Sequence, residues 1–261
     1  MATSTVPGEA ALNPEGHSLP VRSTTAEDVS VSGELCDILQ QSRSFCLRAK
    51  AFFVAWQGVL TIAYSGMPPA MLELREAFEQ RFPYLKENPG SRWPKTTLGA
   101  VQDNKRITPE QLRTLHRICA EESQNLAAIA DNSRDGTFCI DNISIVIYEN
   151  MSLEKTISVT TVPLQRPADL SLPSDEECQK VDAVLAPFSE HCLDDYWFQA
   201  SKDGNRISHY KRIQPGATVV HYLSKVPSFV GRFKDRVDEE LPALYSWLSE
   251  DHLHVTMRAI L

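Results

Sequence analysis

Two stretches decide how this chain reads: residues 59–101, VLTIAYSGMPPAMLELREAFEQRFPYLKENPGSRWPKTTLGAV, and residues 218–260, TVVHYLSKVPSFVGRFKDRVDEELPALYSWLSEDHLHVTMRAI. A shift of 159 lays the first on the second and places Ser65 on Ser224, Pro68 on Pro227, Pro83 on Pro242, Leu85 on Leu244 and Thr97 on Thr256. Each stretch reads as an apolar strand, a turn with Ser and Pro, an amphipathic helix stopping near a proline, a loop, and a strand with Thr in its middle. Self-similarity at a fixed offset is the mark of a repeated supersecondary unit. Two unrelated strand–helix–strand units would give the same order of signals, and identity is low. That reading stays open beside the sharper one, a pseudo-twofold domain of two similar lobes.

The last strand of each stretch carries the polar chemistry. In Leu253-His-Val-Thr-Met-Arg258, period-two alternation sends Val255, Met257 and Ala259 to one face and His254, Thr256 and Arg258 to the other. In Pro94-Lys-Thr-Thr-Leu-Gly99, the same rule sends Lys95, Thr97 and Gly99 to one side while Leu98 and Ala100 pack. If the lobes face each other, Lys95, Thr97, His254 and Thr256 converge on one cleft. Hydroxyls that donate to phosphate oxygens, a cation that offsets developing charge and an imidazole that moves a proton suit phosphate chemistry. Taken alone, His254 is more often an ordinary surface or packing residue, and Lys95 a solvated strand residue. Their equivalence under the shift is what raises both.

Outward from the repeats, residues 1–32 are rich in Ser, Thr, Pro, Gly and Glu and read as a disordered arm. A single domain follows over 33–261, with lobe-forming repeats at about 52–103 and 210–261. Leu35, Ile38, Leu39, Phe45, Cys46 and Ala49 fall near helical spacing and predict a helix leading into Phe52, and Phe52 to Tyr64 reads as one strand bulged at Gly58. Thr108-Pro109-Glu110-Gln111 is a capping box ahead of a helix, and Ser174 caps another. Phe138 to Tyr148 and Thr156 to Leu164 predict an antiparallel pair. Asp203-Gly204-Asn205 predicts the turn of a hairpin between Tyr196–Ala200 and Ile207–Ile213. Lys202, Arg206, Lys211 and Arg212 beside Tyr196, Trp197, Phe198 and Tyr210 offer a stacking surface for single-stranded RNA. A hairpin covering a core is the commoner meaning of such a stretch.

Composition narrows the function classes. Of 261 residues, 42% are hydrophobic, which excludes a wholly disordered chain. The net charge of −8 argues against tight binding to long duplex nucleic acid through phosphate neutralisation and leaves a short nucleotide or RNA end open. No run approaches the roughly 18 apolar residues of a membrane helix, so no membrane partner is expected. Residues 1–31 lack a basic start and an apolar middle, and a cytoplasmic or nuclear protein is expected. The six cysteines form no CxxC pair, so reduced thiols are the default. His252-Leu253-His254 has no acidic or thiol cluster at a familiar spacing, so no metal and no cofactor is expected.

With these residues in view, the chain resembles the 2H phosphoesterase superfamily, the LigT-like or RNA ligase/cyclic nucleotide phosphodiesterase-like proteins. Members carry two His-x-Thr/Ser motifs, one on a central strand of each lobe. His254-Val255-Thr256 matches one motif in full, and Lys95-Thr96-Thr97 matches the other only at Thr97. The resemblance covers most of residues 50–261. It implies an α+β fold of two pseudo-symmetric lobes, each an antiparallel-rich sheet with helices on its outer face, around a central cleft. It also implies that one imidazole acts as base and one as acid while two hydroxyls grip phosphate. Carried over, His254 is the surviving proton-transfer residue, Thr97 and Thr256 are the phosphate ligands, and Lys95 is the departure. A second departure is order, because the chain ends at Leu261 where members continue with a helix and strands, which suggests a permuted arrangement.

His221 and His209, on the preceding strands, are candidates for the missing imidazole, although alternating surface residues of a sheet is the commoner role. Arg258, Tyr64, Tyr222 and His221 are the candidate substrate-binding residues of the cleft. The expected function is therefore metal-independent action on a cyclic phosphate or phosphodiester of a nucleotide or RNA 3′ end. A non-catalytic nucleotide or RNA-end binding module is the alternative, and a protein-interaction scaffold, resting on the arm and the acidic balance, is the third.

Overall fold

The computed structural model describes residues 26–84, 92–132, 136–223 and 225–260. The elements in chain order are α1 (Ala26–Gln40), β1 (Arg43–Val54), β2 (Leu60–Tyr64), α2 (Pro69–Arg81), β3 (Lys95–Val101), α3 (Pro109–Asn132), β4 (Thr137–Ile140), β5 (Asn142–Tyr148), β6 (Thr156–Pro163) and β7 (Arg166–Asp169). They continue with α4 (Asp175–Leu185), α5 (Leu193–Ala200), α6 (Ile207–Lys211), β8 (Gly216–Tyr222), α7 (Ser228–Glu240), β9 (Tyr245–Trp247) and β10 (His254–Ala259). The fold is α+β with two sheets. The first has strand order β4-β1-β2-β3-β9 with β7 parallel to β1, and the second, all antiparallel, has order β10-β8-β5-β6. Among the described residues no helix is long and apolar enough to cross a membrane.

The duplication is visible in backbone register. In the first sheet Leu60 pairs Gly99, Thr61 pairs Thr97, Ile62 pairs Thr96 and Ala63 pairs Lys95. In the second Val219 pairs Arg258, Val220 pairs Thr256, His221 pairs Val255 and Tyr222 pairs His254. Every pair of the first set falls on a pair of the second after the shift of 159, and the bulge recurs at the same step, with Leu98 and Met257 as the extra residues. α2 and α7 coincide at both ends under that shift. Each follows a proline in extended conformation, Pro68 or Pro227, and the next residues out leave the helix alike, Phe82 at φ −124°, ψ 59° and Leu241 at φ −131°, ψ 62°. Leu85 and Ser224, also matched in sequence, lie outside the described residues, as do 1–25 of the arm.

The helices cross over between the halves. Phe233 of α7 stacks on Phe52 of β1 with ring centroids 4.0 Å apart, and Phe229 meets Phe52 edge-on. Glu122 of α3, buried, accepts from Arg232 Nε and Arg236 Nη1 of α7 at 3.1 and 3.2 Å. Conversely α2 reaches the second sheet, where Arg75 Nη1 donates to the Met257 carbonyl at 2.8 Å, and α1 lies against α2, β5 and β6. One continuous apolar core results.

Several sequence expectations are corrected. Residues 43–50 are not helical: Phe45, Leu47 and Ala49 are buried while Arg48 is exposed, the period-two pattern of a strand, and β2, β4 and β7 all pair with it. Residues 26–32, assigned to the arm, continue α1, because extending a helix already anchored by Leu35 and Leu39 costs little. Phe52 to Tyr64 is a hairpin, the end of β1 and then β2, turned by Gln57 (φ 62°) and Gly58 (φ 82°). A Cβ on Gly58 would also stand 2.8 Å from Ile107 Cδ1. The segment from Phe138 divides at Asp141 into β4 of the first sheet and β5 of the second, and β5 pairs with β6 as the antiparallel reading expects. Both capping signals are realised: Thr108 and Gln111 exchange bonds reciprocally, and Ser174 Oγ accepts from the Glu177 amide.

The expected hairpin over 196–213 is a pair of helices, α5 and α6, with Leu193, Tyr196 and Ala200 on the buried face at helical spacing. Tyr196 Oη donates to the Val54 carbonyl, Trp197 Nε1 to that of Ile107, and the buried Arg206 to that of Gln57. This stretch closes the β1–β2 turn through Tyr196, Trp197 and Arg206, while Phe198, Lys202, Lys211 and Arg212 stay exposed.

Candidate functional site

Strand pairing fixes which side chains share a face. Residues opposite one another project to the same side, so His254 and Thr256 lie with Tyr222 and Val220. In the first sheet Lys95 and Thr97 lie with Ala63 and Thr61. The reverse faces carry Ile62, Thr96 and Phe52 in one sheet and Val219 and Val255 in the other, all buried toward the helices. Lys95, Thr97, His254 and Thr256 are each half-buried, and β3 and β10 lie against each other where the two sheets meet. The four residues therefore occupy corresponding positions beside the seam, with neither threonine turned into the core.

At His254, Nδ1 donates to the His252 carbonyl at 2.8 Å, because a carbonyl can only accept. Nε2 is then the basic nitrogen. Desolvation by burial holds the imidazole below its ordinary range against the opposing pull of the His252 carbonyl, with the His252 charge a smaller lowering effect, so the neutral ring is favoured. Tyr222 stands edge-on to both rings, with centroids 6.1 Å from His254 and 6.5 Å from His252, and its phenol is pushed up by burial. Across the seam, Lys95 Nζ sits 4.6 Å from the centroid of Trp93, a cation–π contact.

Three of the four candidate substrate-binding residues face elsewhere. Tyr64 is fully buried on the core face, where its hydroxyl bonds Thr96 Oγ1 at 2.8 Å, and burial pushes its ionisation out of range. His221 pairs with Val255, not with the His254 face, and Nδ1 donates to the Asn142 carbonyl at 2.7 Å. Arg258 is displaced by the bulge at Met257, which inverts the alternation read from sequence. It pairs with Val219, is buried, and its Nη1 donates to the Arg75 carbonyl at 3.4 Å. Arg75 is lowered to about 10 by burial and by the Arg258 charge. His209 lies on α6, buried against Tyr210, not on a strand. Tyr222 alone of the four shares the His254 face.

Other groups on these faces escape a reading by motif. Val146, Leu153 and Val220 form a small apolar cluster under Tyr148 and Tyr222, and beside it Ser144 bonds Thr161 through their hydroxyls at 2.8 Å. Ser144, Val146 and Tyr148 alternate along β5, a signal legible only once its partner strand is known. On the first sheet, Phe188 from the segment after α4 packs on Phe53, which pairs with Thr61, so an insertion without counterpart in the other lobe borders the Lys95 face.

Cavities lie elsewhere among the described residues. A shallow one of about 950 Å³ runs along α7 and is lined by Glu122, Arg232, Arg236 and Glu240. One of about 350 Å³ lies beside β4, lined by Thr137, Cys139, Asp141, His221 and Lys225. Neither is lined by Lys95, Thr97, His254 or Thr256. Among the described residues no group of three or more His, Cys, Asp or Glu side chains is arranged to hold a metal ion. No protein-family model, curated protein or solved structure matches this chain.

Proposed function

We propose that the two sheet faces, one bearing Lys95 and Thr97 and the other His254 and Thr256, together bind a phosphate ester, a 2′,3′-cyclic phosphate or phosphodiester at a nucleotide or RNA 3′ end, as in 2H phosphoesterases. The observation that supports this reading most is the recurrence of strand register and bulge after 159 residues, with Lys95 and Thr97 in one copy and His254 and Thr256 in the other at equivalent places. The hydroxyls of Thr97 and Thr256 donate to non-bridging oxygens, and the Lys95 ammonium offsets their charge. His254 Nε2 takes a proton from water as its oxygen forms the new bond to phosphorus. The ring P–O bond breaks, and the released oxygen takes a proton from Lys95 or solvent. Strain in a five-membered cyclic phosphate lowers the need for a strong acid on the leaving oxygen, which suits a site with one imidazole.

The test is hydrolysis of 2′,3′-cyclic nucleotides and cyclic-phosphate RNA ends in the presence of a chelator. Turnover is expected to persist, to fall about 10²- to 10⁴-fold in His254→Ala, and to show a raised KM in Lys95→Ala. Turnover indifferent to His254→Ala overturns the mechanism. Lys95 in place of a second imidazole supports a second reading, a binding module, for which calorimetry would show nucleotide or RNA-end affinity, weakened in Lys95→Ala, without turnover. Neither affinity nor turnover for any phosphate ligand removes both.

A further inference from the structure

The pairing of β4 with β1 sets Cys139 directly opposite Cys46, and their sulfurs lie 3.0 Å apart. Cα atoms of directly opposed residues in an antiparallel ladder are about 4.5–5.5 Å apart, inside the range a disulfide spans. Of the remaining cysteines, Cys119 is sealed in the core, where burial pushes its thiol well up. Cys36, Cys178 and Cys192 belong to α1, α4 and the turn before α5, and none stands in a strand register opposite another. Cys139 is exposed and Cys46 half-buried, so one member of the pair meets solvent and the other waits beside it.

We propose that Cys46 and Cys139 form a reversible cross-strand disulfide, a redox modification site written by a small-molecule disulfide such as oxidised glutathione. The exposed Cys139 thiolate attacks one sulfur of the oxidant, releasing one glutathione thiolate and leaving a mixed disulfide at Cys139. Cys46, deprotonated as it attacks, displaces the second glutathione from Cys139 and closes the protein disulfide. Two protein thiols are oxidised, one oxidant disulfide is reduced to two thiols, and both protons pass to the released glutathione.

The position gives the bond a consequence. β4 is a four-residue edge strand whose sheet partner is β1, and one residue later, at Asp141, the chain passes into β5 of the second sheet. Its local opening would loosen the crossover between the sheets and the wall of the 350 Å³ cavity, which Cys139 lines with His221. Joining positions 93 residues apart restricts the unfolded chain substantially.

The test treats the folded full-length protein with oxidised glutathione, quenches in acid, alkylates, and maps cross-linked peptides by mass spectrometry without reduction. The expected result is one cross-link, Cys46 to Cys139, reversed by reduced glutathione, with amide exchange in β4 slowed and a thermal midpoint raised by about 5–15 °C. Cys46→Ser is expected to stop at glutathione on Cys139, and Cys139→Ser to take none at Cys46. Wild-type protein in which both thiols remain alkylatable, or in which Cys139 stays a mixed disulfide while circular dichroism shows the fold intact, overturns the proposal. That measurement needs no variant to fold.

Discussion

His221 and His254 show how a single side chain reads differently in sequence and in place. Both sit on neighbouring strands, yet pairing puts them on opposite faces, one under the crossover and one beside the seam. His221 is held below the ordinary histidine value of 6.5 chiefly by burial, against the opposing pull of the Asn142 carbonyl and Asp141. His254, His209 and His116 are lowered by burial as well. The sign follows directly: below about 6.5 the unfolded chain binds protons that the folded chain does not, so stability is full above that pH and is lost as pH falls beneath it. The carboxylates with lowered values, Glu110, Glu121 and Asp169, start from 4.5 or below and lie outside this window. Thermal midpoints are therefore expected to drop between pH 7.5 and 5.5, with a shallower slope in His221→Gln, which keeps a donor for Asn142. Equal slopes in both proteins would show that His221 takes no part.

At the scale of elements, local signals were legible where local chemistry closes them. The caps of α3 and α4 rest on bonds within four residues, and α2 and α7 end where proline and the loss of apolar spacing stop them. β1 departs from the helical expectation because a run of apolar residues after a helix satisfies two periods over a short window, and only partner strands on both sides resolve it. The α5–α6 segment departs from the hairpin expectation for a different reason, since a turn signal is neutral between two strands and two helices. The β3–β9 contact offers a sharp test. A Cβ on Gly99 would lie 2.8 Å from Trp247 Cε3 and 2.9 Å from the Ser246 carbonyl oxygen, so backbone must shift to admit it. Gly99→Ala is expected to cost about 1–3 kcal/mol in denaturant unfolding, with exchange protection lost first in β9. A neutral substitution there would mean that β9 is not held against β3 in solution.

For the whole molecule, the crossed helices decide the behaviour. Helix α7 of the second repeat stacks on the first sheet through Phe233 and Phe52, and α2 of the first repeat reaches β10 of the second sheet through the Arg75–Met257 bond. The buried apolar residues of both halves belong to one cluster, so unfolding is expected as one transition with coincident far- and near-ultraviolet signals. Phe233→Ala is expected to lower stability by about 3–5 kcal/mol and to move both signals together. Two separated transitions, or a loss confined to the second sheet, would contradict the shared core.

The amino-acid sequence determined the repeated units, their turns and caps, and the presence of His254, Thr256, Lys95 and Thr97 at matching offsets, because these rest on spacing along the chain. Tertiary structure alone decided which residues meet: the bulge at Met257 turned Arg258 to the helices, pairing took Tyr64 and His221 away from the His254 face, and β4 brought Cys139 to Cys46. Register is a relation between segments far apart in the chain, and one extra residue in a strand reverses every side chain beyond it.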